Sequence, residues 1–114
     1  MEKILTWDEV QLKHGTIAAI SSEGNYIKSI LCGGPDYEDI IDCNHILYKI
    51  PNRRHYQKSL ERFKFTFKQK ASIRVFSKVV RNKWVDKRHY FVDNISIEND
   101  FWIIKLQKIN NQVP

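Results

Sequence analysis

The segment from Cys32 to Ile50 gathers residue types that can do chemistry. Two adjacent glycines, Gly33 and Gly34, introduce a stretch with two tyrosines and four carboxylates in an otherwise basic chain. These six residues are Asp36, Tyr37, Glu38, Asp39, Asp42 and Tyr48. Such a segment can form a solvated loop, a metal site or a binding pocket, and each alternative predicts different chemistry.

Sulfur and imidazole groups near this segment raise the question of zinc. Cys43 and His45 are closer together than paired zinc ligands usually are, and Cys32 and His55 do not supply a second pair with suitable spacing. We therefore predict no metal site and no cofactor.

The carboxylates also suggest hydrolysis, because Asp39 and Asp42 could hold Mg²⁺ or act as an acid–base pair. No lysine-bearing nuclease signature accompanies them. We therefore predict a binding domain without a catalytic residue, and any catalysis would belong to another domain or subunit.

The charge distribution is uneven along the chain. Fourteen Lys and Arg residues but only two acids lie between Lys49 and Arg88, whereas the rest of the chain has five basic and eleven acidic residues. Aromatic residues are interleaved through this basic block. A nucleic-acid binder is expected to have this footprint, and the alternative is a solvated basic face. Anionic lipid is a weaker alternative, because no helix with a wide apolar face is visible.

The length of 114 residues predicts one domain, residues 1–114, which could also be a fragment of a larger multidomain protein. No apolar run is long enough for a membrane span or a signal peptide. With only two cysteines, the chain is expected to keep free thiols in the cytoplasm.

Strand patterns dominate the chain, with one clear helix. Thr6 and Glu9 have the spacing of a capping box and predict a helix from Trp7 to Lys13 that ends at Gly15. Residues 52–63 favour a helical or irregular excursion. The predicted strands are GTIAAI, YIKSIL, HILYKI, the alternating FKFTFK, SIRVFSKVV, HYFVDNISI and FWIIKLQKI. Six or seven short strands predict a mostly β (α+β) fold, a curved antiparallel sheet or barrel with one or two short helices.

Three stretches resemble the SRA (YDG) domain of modified-DNA readers, within the PUA-like superfamily. They are GNYIKSILCGGPDYEDIIDCNHILYKI, SIRVF and NKWVDKRHYFV, and FWIIKL is placed like the final strand of that family. The chain departs from the family pattern by inserting Pro35-Asp36, by having Ile40 in place of an aspartate and Arg88 in place of a glycine, and by being shorter.

The resemblance implies a protein that flips one nucleotide out of duplex DNA and inspects it in a pocket. Tyr37 and Tyr48 would then stack on the base, and Asp39, or else Asp42, would accept a hydrogen bond from the cytosine amine. Gly33 and Gly34 would let the backbone approach the base. The alternative is that the tyrosines are core residues and the acids turn residues.

The basic block would hold the phosphates. We expect an exposed loop, Asn52-Arg53-Arg54, to contact the backbone or to fill the space left by the base. Further phosphate candidates are Lys68, Lys70, Arg81 and Lys83.

These observations predict a double-stranded DNA reader of 5-methyl- or 5-hydroxymethylcytosine, working with a nuclease or NTPase in a bacterial modification-dependent restriction system. Two alternatives stay open. One is a PUA-like RNA-binding module, and the other is a sequence-specific recognition domain for unmodified DNA in a restriction enzyme.

Overall fold

The structure is a computed structural model that describes residues 3–33, 40–41 and 44–109, with residues 40–41 described by their backbone alone. The strands are β1 (Ile4–Leu5), β2 (Ile20–Glu23), β3 (Tyr26–Cys32), β4 (Ile40–Ile41), β5 (His45–Pro51), β6 (Ser72–Val80), β7 (Lys83–Glu98) and β8 (Phe101–Lys108). The helices are α1 (Trp7–His14) and α2 (Gln57–Lys68), and a single 3-10 turn (Arg54–Tyr56) precedes α2.

All eight strands belong to one curled sheet. Their order is β2-β3-β6-β7-β8-β5-β4, and β1 pairs with the start of β7. Every pair is antiparallel except β3–β6. This sheet with two short helices confirms the predicted fold class.

The curl is concentrated in β7, which pairs first with β6 and then with β8. A straight strand of its 16 residues would measure about 50 Å, but the longest dimension of the molecule is 35 Å. The strand bends at two bulges, where Lys87 and Asp93 have no partner opposite them. Extra residues of this kind increase the local bend and twist of a strand.

Apolar side chains separate cleanly to the two faces of the sheet. Ile30 and Val75 face α2, whereas the next residue of each strand, Leu31 and Phe76, faces α1. The larger cluster, called the α2 side, consists of Ile27, Ile30, Cys32, Ile46, Tyr48, Ile50, Leu60, Phe63, Ile73, Val75, Tyr90, Val92, Ile104 and Leu106. The smaller cluster, called the α1 side, consists of Leu5, Val10, Leu31, Phe76 and Trp84, with Trp7 packed against it.

Helix α1 forms as the capping box predicts. The Thr6 hydroxyl accepts a hydrogen bond from the Glu9 backbone N–H, and the Glu9 carboxylate accepts one from the Thr6 backbone N–H. Gly15 ends the helix in the left-handed region at φ 86°, which favours glycine. Val10, on the inner face of the helix, is fully buried.

The predicted strand GTIAAI is wrong for all but its last residue. Residues 16–19 form bends, and β2 begins only at Ile20. The backbone of Ala18 is used locally, because its N–H donates to the Thr16 hydroxyl and its carbonyl accepts from His14. Ile17 is 77% exposed and contributes nothing to a core.

The predicted strand FKFTFK is also wrong, because these residues are the second half of α2. Leu60, Phe63 and Thr66 are buried at helical spacing, whereas Phe67, which an alternating strand would place on the same face as Phe63, is 41% exposed. The Thr66 hydroxyl donates to the carbonyl of Arg62 and accepts from the backbone N–H of Ile27, which ties α2 to β3. The helical alternative for residues 52–63 is confirmed.

Neither described helix is long and apolar enough to cross a membrane.

Candidate nucleic-acid interface

The described part of the expected base pocket begins at the end of β3. Cys32 is fully buried, and Gly33 follows it at φ 78°, a conformation that favours glycine over any residue with a side chain. Four other residues expected in the pocket lie outside the described residues. They are Gly34, Tyr37, Asp39 and Asp42.

Tyr48 is placed in the middle of β5 with its side chain toward α2. It is 5% exposed, and its ring centroid lies 6.0 Å from that of Phe63. Strand β4 runs along β5 at this level, because Ile40 pairs with Leu47 and Ile41 with Ile46. The segment that follows Asp39 in the chain is therefore paired with the part of β5 that carries Tyr48.

The expected backbone-binding loop lies at the far end of β5. Asn52 is anchored there, because its backbone N–H donates to the carbonyl of Asp100 at 2.7 Å and its side-chain oxygen accepts from the indole N–H of Trp102 at 3.2 Å. Arg53 and Arg54 are exposed at the start of the 3-10 turn. The structure thus gives Asn52 a structural partner and leaves the two arginines facing solvent.

The other four phosphate candidates do not form one patch. Lys68 and Lys70 are exposed where α2 leads into β6, and Arg81 and Lys83 are exposed beyond the opposite end of β6. Nine residues of strand separate the two pairs by about 26 Å. A single phosphate therefore cannot contact both pairs.

Helix α2 carries a basic surface that the sequence pattern hides, because FKFTFK alternates like a strand. Lys58 and Arg62, and likewise Lys64 and Lys68, are four residues apart and share the outward surface of α2. The Lys64 ammonium lies 5.0 Å from the centre of the Trp102 ring, a cation–π distance that ties the helix to the β7–β8 hairpin. The spacing of four residues between these basic side chains is the sequence signal that indicates a shared helix surface.

Two motif residues of the family resemblance contact each other across β6 and β7. The Arg74 Nε atom donates to the Asp86 carboxylate at 3.1 Å, and its Nη2 donates to the same carboxylate. The backbone N–H of Arg88 donates to Asp86 at 2.9 Å. Burial opposes ionisation of Asp86, but these hydrogen bonds and the two arginine charges lower its pKa below the usual value.

His14 is a buried polar residue that sequence reasoning did not single out. Its Nε2 donates to the carbonyl of Ala18 at 2.7 Å, so in the neutral ring Nδ1 accepts from the Ser29 hydroxyl at 2.6 Å. Burial lowers the pKa of His14, and the charge of Lys28 lowers it further, against the raising effect of Ala18. The ring therefore holds residues 15–19 against β3 in its neutral form.

Within residues 3–33 and 44–109, no three His, Cys, Asp or Glu side chains are grouped so that they could hold a metal ion.

Neither a protein-family model nor a curated protein sequence matches the chain. The SUVH5 SRA domain in complex with methylated CHH DNA superposes with a TM-score of 0.77 at 19% identity, over 95% of this chain and 86% of the other. The chain has an SRA-like fold.

Two further solved structures agree. The SUVH5 SRA domain bound to fully hydroxymethylated CG DNA gives a TM-score of 0.76 at 18% identity, over 97% of the SRA-like chain and 89% of the other. KRYPTONITE in complex with mCHG DNA and S-adenosylhomocysteine (SAH) gives 0.78 at 12% identity and covers all of the SRA-like chain but 33% of its own. The fold predicted from the three motifs is thus confirmed.

Proposed function

We propose that this SRA-like domain binds double-stranded DNA and reads a modified cytosine, 5-methyl- or 5-hydroxymethylcytosine, by flipping it into a pocket. The observation that carries the proposal is the shared fold, because the similar solved structures are SRA domains in complex with methylated and hydroxymethylated DNA. The left-handed Gly33 at the end of β3 supports it, since the expected pocket begins at that residue.

In this proposal Tyr37 and Tyr48 stack on the two faces of the flipped base. Flipping costs a few kcal/mol, and stacking on an aromatic ring returns about 1–3 kcal/mol per base. Phe63 packs against the Tyr48 ring and would keep it in place for stacking. Asp39 immediately precedes β4, which pairs with β5 beside Tyr48, so this register supports a shared site for the carboxylate and the ring.

The Asp39 carboxylate, with Asp42 as the alternative, accepts a hydrogen bond from the exocyclic amine of cytosine. Thymine has a carbonyl at that position and would be rejected. The backbone around Gly33 and Gly34 approaches the base closely. This part of the proposal concerns selectivity rather than affinity.

Affinity comes from cations that contact phosphates. Arg53 and Arg54 are exposed beside α2, whose outward surface carries Lys58, Arg62, Lys64 and Lys68. We propose that these basic residues contact the DNA backbone, and that one of the two arginines fills the space left by the flipped base. Asn52 supports the loop through Trp102.

We further propose that residues 1–114 act as the recognition domain of a cytoplasmic bacterial restriction system that cuts modified DNA. A nuclease or NTPase domain or subunit would then supply catalysis. The basis is chemical, since a binding domain can lead to DNA cleavage only through a partner that acts on the DNA.

The test is a titration of labelled duplexes that carry cytosine, 5-methylcytosine or 5-hydroxymethylcytosine at one position, with a matched RNA, all at one salt concentration. A 2-aminopurine beside the target base reports flipping through increased fluorescence. We expect tighter binding of a modified duplex, and a roughly 5- to 150-fold loss in Tyr37→Ala, the equivalent of about 1–3 kcal/mol.

Tyr26→Ala is the matched control. Tyr26 is an exposed tyrosine at the opposite end of β3 from Gly33, and its ring contacts Phe65. Equal affinity for the three duplexes, with Tyr37→Ala like wild type, would overturn the base-reading proposal. Preference for RNA would favour the RNA-binding alternative.

A further inference from the structure

A cleft of about 490 Å³ lies on the α1 side of the sheet, where the turn between β6 and β7 meets the start of α1. The described residues that line it are Trp7, Ile17, Lys78, Arg81, Asn82 and Trp84. Clefts that bind small ligands typically enclose about 300–1,000 Å³ and combine apolar or aromatic walls with a few polar groups. This cleft has both the size and the composition of a ligand site.

Strand pairing brings the two tryptophans of the cleft together. Leu5 of β1 pairs with Trp84 of β7, and Trp7 follows two residues after Leu5 as the first residue of α1. The two indole rings stack with their centroids 5.3 Å apart and 28° between their planes. Trp84 is buried, whereas Trp7 is only half-buried. The part of the Trp7 ring that Trp84 does not cover therefore borders the cleft, where a flat ligand can stack on it.

The turn between β6 and β7 is fixed against α1. The Asn82 side-chain oxygen accepts a hydrogen bond from the backbone N–H of Trp7 at 2.8 Å. Asn82 has a φ of 60°, in the left-handed region that asparagine adopts more readily than most residues. This contact holds the preceding residue, the exposed Arg81, beside the tryptophan pair.

Ile17 forms another wall of the cleft. It is 77% exposed, so it has no part in the core. The next residue, Ala18, is tied down, because its carbonyl accepts a hydrogen bond from the buried His14. Ile17 is therefore an exposed apolar side chain at a fixed position, and it extends the apolar surface that a base can cover.

The cleft is also positively charged. Arg81 is exposed at its rim. Lys78 lies opposite Trp84 in the β6–β7 pairing, and hence on the same face of the sheet. Lys78 has a contact of its own, so a ligand contact is assigned to Arg81 alone. A guanidinium beside an aromatic ring suits the two parts of a nucleotide, because the ring stacks on the base and the guanidinium binds the phosphate.

We propose that this cleft binds an unpaired nucleotide of a nucleic-acid strand, with the base stacked on Trp7 and a phosphate held by Arg81. The nucleotide must be unpaired, because the faces of bases inside a duplex are covered by their neighbours. The site would not read a base modification, so it goes beyond the proposed function.

The choice of a nucleic-acid strand as the occupant rests on the proposed function and on the position of the cleft. Strands β3 and β6 are parallel, and Cys32 pairs with Ser77. The residues that follow them, Gly33 and Lys78, are therefore at the same end of the sheet. The expected base pocket begins at Gly33, so the cleft lies within reach of a strand that is bound there.

Binding of a labelled oligothymidylate, followed by fluorescence anisotropy, tests the proposal. An oligonucleotide of the same length without bases and thymidine monophosphate are the comparison probes. We expect the oligothymidylate to bind more tightly than either and to quench the tryptophan fluorescence. Equal affinity for the strand without bases would overturn the proposal, because the base would then contribute nothing. Equal affinity for the monophosphate would identify a site for free nucleotides and overturn the assignment to a strand.

Trp7→Leu should weaken binding of the oligothymidylate roughly 5- to 150-fold, because leucine fills part of the same space but has no ring on which a base can stack. Most of the quenching should disappear with it. Unchanged affinity and quenching in this variant would overturn the proposal.

Arg81→Gln tests the phosphate contact without touching the core, because Arg81 is an exposed turn residue. It should lower the slope of log affinity against log salt concentration by roughly 0.7, the value for one phosphate contact on a single strand. Lys83→Gln is the matched control. Lys83 is equally charged and exposed, but it directly precedes Trp84 in β7 and so points to the opposite face. Equal effects of the two variants would show a general basic surface and overturn the assignment of Arg81.

Failure here is separable from failure of base reading. Trp7→Leu should keep the preference for a modified over an unmodified duplex, whereas Tyr37→Ala should keep the affinity for the oligothymidylate. Loss of both properties in both variants would contradict two separate sites.

Discussion

The two sides of the sheet are built by different means. Fourteen buried residues pack on the α2 side, and the buried Thr66 hydroxyl bonds α2 to β3 there. On the α1 side five buried residues suffice, supported by the hydrogen bonds of His14 and the Arg74–Asp86 ion pair. Apolar burial stabilises the fold independently of pH, whereas the stabilisation from titratable contacts changes with pH. The α2 side should therefore respond to lost volume and the α1 side to pH and charge.

Phe63→Ala should have the largest effect on this comparison. Phe63 is fully buried on the α2 side and contacts Tyr48, so truncation should lower the free energy of unfolding by about 3–5 kcal/mol. Urea unfolding at neutral pH measures this. Phe67→Ala, in the same helix but 41% exposed, should cost far less. Equal losses in the two variants would contradict the assignment of the buried helix face.

Asp86→Ala should have the next largest effect, a loss of about 1–3 kcal/mol, because it leaves Arg74 and the Arg88 N–H without their acceptor. Asp93→Ala is the matched control. Its 3.6 Å ion pair with Lys105 is exposed and should contribute about 0–1 kcal/mol. Both values follow from the shift in urea midpoint. A control as costly as Asp86→Ala would show that the bulge contact has no special role.

Acid should weaken the α1 side in two steps. The pKa of His14 is lowered in the folded state, so its contribution is present above the usual value of 6.5 and is lost as pH falls toward the folded pKa. The pKa of Asp86 is also lowered, and its contribution is lost below the usual value of 3.8.

Unfolding free energies at pH 7.5 and 5.5 check the first step. His14→Gln should flatten the difference between the two pH values, and His55→Gln, at an exposed histidine, should not. A pH dependence unchanged by His14→Gln would show that His14 does not titrate as its burial implies.

Arg88→Gly should have the smallest effect and the opposite sign. Relief of the left-handed strain should make it about 1 kcal/mol more stable than Arg88→Ala, which loses the same side chain but keeps φ at 70°. The difference between the two melting curves measures the contribution of backbone strain to the free energy of unfolding. If alanine were the more stable, strain at the bulge would be excluded.

Local signals with a physical mechanism were reliable in the sequence. The capping box of Thr6 and Glu9 gave α1, and β-branched runs gave β3, β5 and β8. The spacing of apolar residues predicted the wrong element where strand-like alternation and helical spacing coexist. Phe63, Phe65 and Phe67 alternate like a strand, but the tie of Thr66 to β3 and the burial of Leu60 select the helix.

The site was predictable only in part, because its parts depend on pairing across strands. Arg74 and Asp86 belong to two of the motifs that resemble the SRA domain. The sequence around each residue does not indicate that pairing of β6 with β7 brings the two into contact. The bulge at Lys87 is likewise a property of the strand pair. The left-handed conformation of Gly33 was predictable, because a turn after a strand favours a glycine there.

The parallel pairing of β3 with β6 has a consequence for how the chain folds. Strand β3 ends at Cys32 and β6 begins at Ser72, so their pairing closes a loop of roughly forty residues, and β5 pairs with β8 only after a further loop of roughly fifty residues. Contacts this distant in sequence slow folding. During synthesis β3 stays without its β6 partner until α2 and β6 have emerged, and the part of β5 that carries Tyr48 stays without its β8 partner until β8 has been made.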